Sequence, residues 1–140
     1  MMSSDIEYTK AEAATRPVVV SHTGVRGTCD HERNLSDDQI KLIAERGGLI
    51  GIGYWDTAVC NPSLEGIVAA LRHVADLVGV EHVALGSDYD GSTEVPFDTS
   101  ELPALTQHLI ETGFREDAVR RIMGQNTIDF LLENLPRRVL

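Results

Sequence analysis

The chain has 140 residues, of which 42% are hydrophobic and 24% are charged, so it is long and apolar enough for one globular domain with a buried core. Its formal net charge of -10 disfavours binding to nucleic acid or to an anionic membrane surface. We find no apolar run near the roughly 18 residues of a membrane span, and the polar N-terminus is not expected to be a secretory signal. The composition therefore predicts a soluble, cytoplasmic protein.

The first half of the chain predicts two strands and one helix. Residues 1–15 are polar and are expected to form a separate, partly helical N-terminal segment, ahead of a domain over residues 16–140. The β-branched run after Pro17 predicts a buried strand that ends near His22. Ser36 and Gln39 have the spacing of a capping box, which predicts a helix that ends at Gly47 and Gly48. Residues 49–54 are apolar and predict a second strand, followed by a polar loop over residues 55–62.

The second half predicts one strand and several helices. Ser63 is placed to cap a helix with a clear 3.6-residue apolar period, which Gly79 closes. Residues 82–85 predict a third short strand. Further helices are predicted over residues 100–112, with Ser100 as the cap, and over 116–124 and 126–135. Buried strands that alternate with helices favour βαβ units and a parallel sheet, and three strands are too few to close a barrel of eight.

Reactive side chains follow the carboxyl ends of the predicted strands, where parallel α/β folds build their active sites. His22 follows the first strand, as a metal ligand or general base would, or as a histidine that only hydrogen-bonds a loop. Asp88 and Asp90 follow the third strand. On an extended segment both would face one site, whereas in an acidic turn they would bind backbone amides. Arg33, in the loop after the first strand, either holds a ligand carboxylate or is a solvated charge.

The two cysteines, Cys29 and Cys60, are too few for a disulfide framework in a core of this size. Neither belongs to a Cys-x-x-Cys pair. The sequence therefore predicts free thiols in a reducing compartment.

An ordered set of short motifs resembles the membrane dipeptidase (renal dipeptidase, peptidase M19) family. The resemblance covers about residues 16–135 and corresponds to the C-terminal half of the family's barrel. The matching segments, in chain order, are residues 17–22, 33–34, 47–51, 79–83, 86–91, 113–114 and 122–126.

The resemblance implies a partial (β/α) TIM-type barrel of about three parallel strands with flanking helices, and a zinc-dependent enzyme that hydrolyses dipeptides. By the same resemblance, His22 is a zinc ligand and Arg33 binds the substrate's terminal carboxylate. Asp88 is a catalytic residue beside the metals that handles the substrate amine or a proton transfer. Metal ions that polarise the peptide carbonyl, and an arginine that orients the substrate, fit this chemistry.

The family's remaining metal ligands have no counterpart in this sequence. They are an His-x-Asp pair, a bridging glutamate and a further histidine, and a catalytic zinc usually needs three protein ligands. We therefore expect a truncated fragment that is inactive alone, without a full two-zinc site. Exposed strand edges would then call for a homo-oligomer or for the missing N-terminal half. The alternatives are a non-enzymatic oligomerising or binding protein that retains the half-barrel, and one half of a split or interface-assembled metallohydrolase.

Overall fold

A computed structural model describes residues 13–137 and shows a three-stranded parallel sheet with flanking helices. The predicted N-terminal segment, residues 1–15, lies almost wholly outside the described residues. The helices and strands, in chain order, are β1 (Val19–Thr23), α1 (Asp37–Glu45), β2 (Leu49–Ile52), α2 (Asp56–Val59), α3 (Leu64–Val78), β3 (Val83–Leu85), α4 (Leu102–Glu111), α5 (Glu116–Arg120) and α6 (Asn126–Asn134). Short 3-10 turns span Val80–His82 and Thr99–Glu101, and a π-helical turn spans Arg121–Gln125.

The sheet order is β1-β2-β3, and both strand pairs are parallel. Val20 pairs with Ile50, and Ile50 pairs with Val83, while the β1–β2 register shifts between Val20 and Thr23. All four residues of β2 are buried, as expected for the central strand of a parallel sheet that is covered on both faces. The predicted fold class, a partial (β/α) barrel of three parallel strands, is confirmed.

Local sequence signals place most helix ends correctly. Ser36 and Gln39 form the predicted capping box, with the Gln39 amide donating to Ser36 Oγ and the Ser36 amide donating to Gln39 Oε1. Ser63 Oγ accepts from the Gly66 amide at the start of α3. Gly79 follows α3 with a φ of 105°, a conformation that favours glycine.

Two predicted local features were wrong. The loop predicted over residues 55–62 contains the short helix α2. Ser100 does not cap α4, whose N-cap residue is Glu101; instead, the Asp98 carboxylate accepts from both the backbone amide and the hydroxyl of Ser100. These bonds start a 3-10 turn, and α4 follows it with Pro103 in the first turn.

The prediction of free thiols was also wrong, because Cys29 and Cys60 form a disulfide. Their Cα atoms lie 5.3 Å apart although the residues are 31 positions apart in the sequence. Cys29 is a buried residue of the loop after β1, and Cys60 is exposed just after α2. Cysteine count and spacing could not reveal a proximity that the fold creates. The cytoplasmic location stays a prediction, but it no longer has free thiols to support it.

Candidate active site

The carboxyl ends of the three strands surround one cavity of about 200 Å³. Because the strands are parallel, the segments that leave them gather at the same edge of the sheet. The cavity contains the three residues singled out from the sequence together with six more. Its lining consists of His22, Thr23, Arg33, Asn34, Trp55, Thr57, Asp88, Gly91 and Thr93.

His22 is the next-to-last residue of the edge strand β1 and is exposed. Its Nδ1 lies 2.8 Å from Ser21 Oγ. Its ring also meets the Trp55 ring edge to face, with the centroids 6.0 Å apart. Because Ser21 engages Nδ1, Nε2 is the ring nitrogen that a ligand or metal ion would meet.

Arg33 lies in the loop between β1 and α1, and its side chain is exposed at the cavity. Within residues 13–137, no aspartate or glutamate forms an ion pair with its guanidinium. A guanidinium is a planar fork of donors that matches a carboxylate. Arg33 therefore presents to the cavity a charge that suits a carboxylate ligand.

Asp88 begins a tight turn after β3 and has a φ of 53°, which is uncommon for residues other than glycine. The Gly91 amide and the Thr93 hydroxyl both donate to its carbonyl oxygen, at 2.9 Å and 3.0 Å. Its carboxylate lies over Gly91, where a Cβ would collide with it. These contacts fix the backbone of Asp88 and leave its half-buried carboxylate at the cavity.

Of the two arrangements left open for Asp88 and Asp90, the structure shows a turn and not an extended segment with both carboxylates facing one site. The rule that residues two apart point the same way holds for extended backbone, whereas residues 89–92 form a turn. Asp90 is exposed and is not among the lining residues of the cavity. One carboxylate, that of Asp88, therefore reaches the cavity from this segment.

Asn34 is a cavity residue whose importance the sequence did not reveal. It is 3% exposed, and its Nδ2 lies within hydrogen-bond distance of three carbonyl oxygens, those of Cys29, Thr57 and Ala58. Trp55, Thr57 and Thr93 also line the cavity, from the segments after β2 and β3. Their positions soon after strand ends are the sequence signal that could have identified them.

An aromatic cluster of Tyr54, Tyr89 and Phe97 lies beside these segments. The Tyr54 ring is 5.1 Å from the Phe97 ring and 6.0 Å from the Tyr89 ring, centroid to centroid. Burial, with a smaller contribution from the charge of Tyr89, raises the pKa of Tyr54 well above its ordinary value. Tyr54 is therefore a neutral structural residue at physiological pH.

The described residues do not by themselves fit a zinc centre. Across residues 13–137, no group of three or more His, Cys, Asp or Glu side chains is arranged to hold a metal ion. His22 and Asp88 are the donors of these types that line the cavity, which is fewer than the three protein ligands of a typical catalytic zinc. A metal at this site would need further ligands from outside the described residues.

The fold and the cavity together define a class of protein. A parallel (β/α) unit that gathers an imidazole, a guanidinium and a carboxylate at the carboxyl ends of its strands is the arrangement of enzymes built on such sheets. The chain belongs to the membrane dipeptidase family (peptidase family M19), whose family model matches residues 1–133. The resemblance predicted from the sequence is therefore confirmed.

Several relatives are similar over most of this chain. The dipeptidase aclJ of Aspergillus oryzae is 32% identical over 82% of this chain, which spans 29% of that protein. A Klebsiella pneumoniae protein from the pqqA 5' region is 28% identical over 93% of this chain and 51% of its own length. The chain thus spans between about a third and a half of the curated relatives that it matches.

Solved structures give the same picture. A metallopeptidase from Rhodobacter sphaeroides, liganded with a phosphinate mimic of the dipeptide L-Ala-D-Ala, is 28% identical, with a TM-score of 0.79. That match covers 87% of this chain and 37% of the other. The probable dipeptidase PvdM from Pseudomonas aeruginosa has a TM-score of 0.81 at 20% identity, which shows a shared fold.

Proposed function

We propose that this chain forms the C-terminal part of a zinc-dependent dipeptidase active site, with Arg33 as the residue that binds the terminal carboxylate of a dipeptide. The observation that carries the proposal is the convergence of His22, Arg33 and Asp88 on one cavity at the carboxyl ends of the strands. Membership of a dipeptidase family supports the choice of substrate. So does the dipeptide mimic bound to the Rhodobacter sphaeroides relative.

Each of the three side chains has a role that its setting supports. Arg33 offers an exposed guanidinium that no carboxylate within the described part of the chain neutralises. His22, with Nδ1 engaged by Ser21, offers Nε2 as one zinc ligand. Asp88 is held at the cavity by its turn, where its carboxylate accepts a proton or binds the substrate's ammonium group. A bound zinc would polarise the peptide carbonyl.

We further propose that the chain is inactive alone, because residues 13–137 provide too few metal ligands. The outer strands β1 and β3 each pair on one side only within the described sheet. Helix α6 also carries an exposed apolar stripe, Ile128, Leu131 and Leu132. Such edges and patches favour association. The partner that fits best is a polypeptide with the N-terminal half of the family fold.

Self-association is the second candidate, because a second copy would cover the same apolar stripe and could complete a site at the interface. A binding protein without catalysis is the third, and the small donor set is the observation that favours it. Among the described residues, no helix is long and apolar enough to span a membrane.

The binding role of Arg33 is testable without turnover, because Trp55 is the only tryptophan in the chain and lines the cavity. Titration with L-Ala-D-Ala should change Trp55 fluorescence in the unmodified chain, and Arg33→Gln should need a much higher dipeptide concentration for the same change. Arg115→Gln is the matched control, since Arg115 is exposed and pairs with Asp117 away from the cavity. Equal responses of the two variants would contradict the proposal.

A further inference from the structure

We infer that Asn34 is a positioning residue for Arg33, and that it works with the Cys29–Cys60 disulfide to hold the arginine's loop against the segment that follows β2. The inference rests on the proposed function of Arg33. It goes beyond it by naming what keeps a side chain on a long loop in a geometry fit to bind a carboxylate.

The first observation is the set of partners of Asn34. Its buried Nδ2 bonds the Cys29 carbonyl of its own loop at 2.9 Å and the Thr57 carbonyl of helix α2 at 2.9 Å. The Ala58 carbonyl lies 3.2 Å from the same nitrogen. One amide thus joins two segments that are more than twenty residues apart, directly next to Arg33 in the chain. Buried bonds of this kind resist displacement, because breaking them leaves polar atoms unpaired.

The second observation is that Gly24 makes room for this amide. A Cβ at position 24 would overlap the carbonyl of Ala58 and crowd Asn34 Oδ1. The Leu35 amide also donates to the Gly24 carbonyl at 3.1 Å, which closes the base of the loop. Loop and helix α2 are therefore in direct backbone contact where Asn34 lies.

The third observation concerns the backbone on either side of Arg33. Arg26 donates from Nε to the Asn34 carbonyl at 2.9 Å and from a terminal guanidinium nitrogen to the Glu32 carbonyl at 3.1 Å. The Asn34 amide donates to the His31 carbonyl at 2.9 Å. The peptide units that flank Arg33 are thus fixed, while its own side chain remains at the cavity.

The disulfide joins the same two segments covalently. Cys29 lies in the loop that carries Arg33, and Cys60 directly follows α2. The hydrogen bonds of Asn34 and the disulfide therefore act in parallel. We refer to Asn34 and the Cys29–Cys60 disulfide together as the loop brace. Positioning matters because displacing a functional group by about 1 Å can lower the efficiency of a site on the order of a hundredfold.

The test compares Asn34→Ala with Asn126→Ala. Asn126 is an equally buried amide that bonds the Val80 and Val83 carbonyls at 2.7 Å and 2.8 Å, away from the cavity. Both variants lose a buried network, so a purely structural effect would be shared. We expect the dissociation constant for L-Ala-D-Ala, followed by Trp55 fluorescence, to rise about tenfold or more in Asn34→Ala and by less than about twofold in Asn126→Ala.

Coupling to Arg33 identifies the mechanism. In an Arg33→Gln background, Asn34→Ala should weaken dipeptide binding by less than about twofold, because the group that it positions is gone. Equal, additive losses in both backgrounds would overturn the inference. So would an equal loss of binding in Asn126→Ala.

Amide hydrogen exchange tests the loop brace without any ligand. Reduction of the folded chain with dithiothreitol converts the disulfide to two thiols while the reagent is oxidised to its cyclic disulfide. We expect exchange in residues 24–35 to quicken about tenfold in reduced protein and in Asn34→Ala, with α3 unchanged. Unchanged exchange in residues 24–35 would overturn the inference. If reduction quickens exchange in residues 24–35 but the unmodified, oxidised chain binds no dipeptide, the loop brace is supported and the proposed function is contradicted.

Discussion

Opening the Cys29–Cys60 disulfide should lower the stability of the fold by an amount that the chain length sets. A cross-link removes conformational entropy from the unfolded chain, and the two cysteines are 31 residues apart. The loop-closure relation gives about 12 cal/mol/K for that length, or about 3.7 kcal/mol at 25 °C. A domain typically has about 5–15 kcal/mol of stability, so the reduced chain is expected to stay folded.

Urea unfolding, followed by Trp55 fluorescence and circular dichroism, measures this difference between oxidised and reduced protein. With a slope of about 2 kcal/mol/M, the midpoint should fall by about 2 M on reduction. A Cys29→Ser/Cys60→Ser variant is the control, because reductant should leave its midpoint unchanged. If the oxidised protein has no reactive thiols and reduction lowers the free energy of unfolding by less than about 1 kcal/mol, the entropic reasoning is refuted. Two reactive thiols in unreduced, unfolded protein would show that the disulfide does not form.

The remaining predictions concern a phenol, a carboxylate and a surface. Since burial raises the pKa of Tyr54, the neutral phenol stabilises the fold fully below about pH 10, and this contribution is lost as the pH rises further. Absorbance at 295 nm should therefore show Tyr54 ionising together with unfolding. Tyr54→Phe should lessen the loss of stability at alkaline pH. Asp88→Ala should change the unfolding free energy by less than about 2 kcal/mol in urea titrations, and a larger loss would favour a structural turn. Leu132, 70% exposed, tests self-association through α6: Leu132→Glu should lower the molar mass by light scattering and leave the melting temperature nearly unchanged. An unchanged molar mass would contradict self-association through α6.

Local chemistry explains which parts of the fold could be predicted from the sequence. The capping residues Ser36 and Ser63 act on amides within three positions, so the starts of α1 and α3 are visible in the sequence. The cap predicted at Ser100 was wrong because Asp98, two residues earlier, is also a good cap and starts a 3-10 turn ahead of α4. The three buried strands were visible as short apolar runs that end in polar residues.

The site could be predicted only in part, for a different reason. His22, Arg33 and Asp88 follow strand ends, and strand order alone brings them to one cavity. The pairing of Cys29 with Cys60 and the bonds of Asn34 to helix α2 depend on tertiary contacts across more than twenty residues. Neither leaves a periodic or spacing signal in the chain. The turn at Asp88 likewise separated two aspartates that an extended segment would have aligned.

Release of D-alanine from L-Ala-D-Ala, measured on the chain alone across a zinc titration, tests whether this site depends on ligands from elsewhere. The described residues offer His22 and Asp88 to a metal in the cavity, fewer than a catalytic zinc requires. We predict dipeptide binding through Arg33 with no release of D-alanine above the protein-free rate at any zinc concentration. Turnover with stoichiometric zinc would contradict that account.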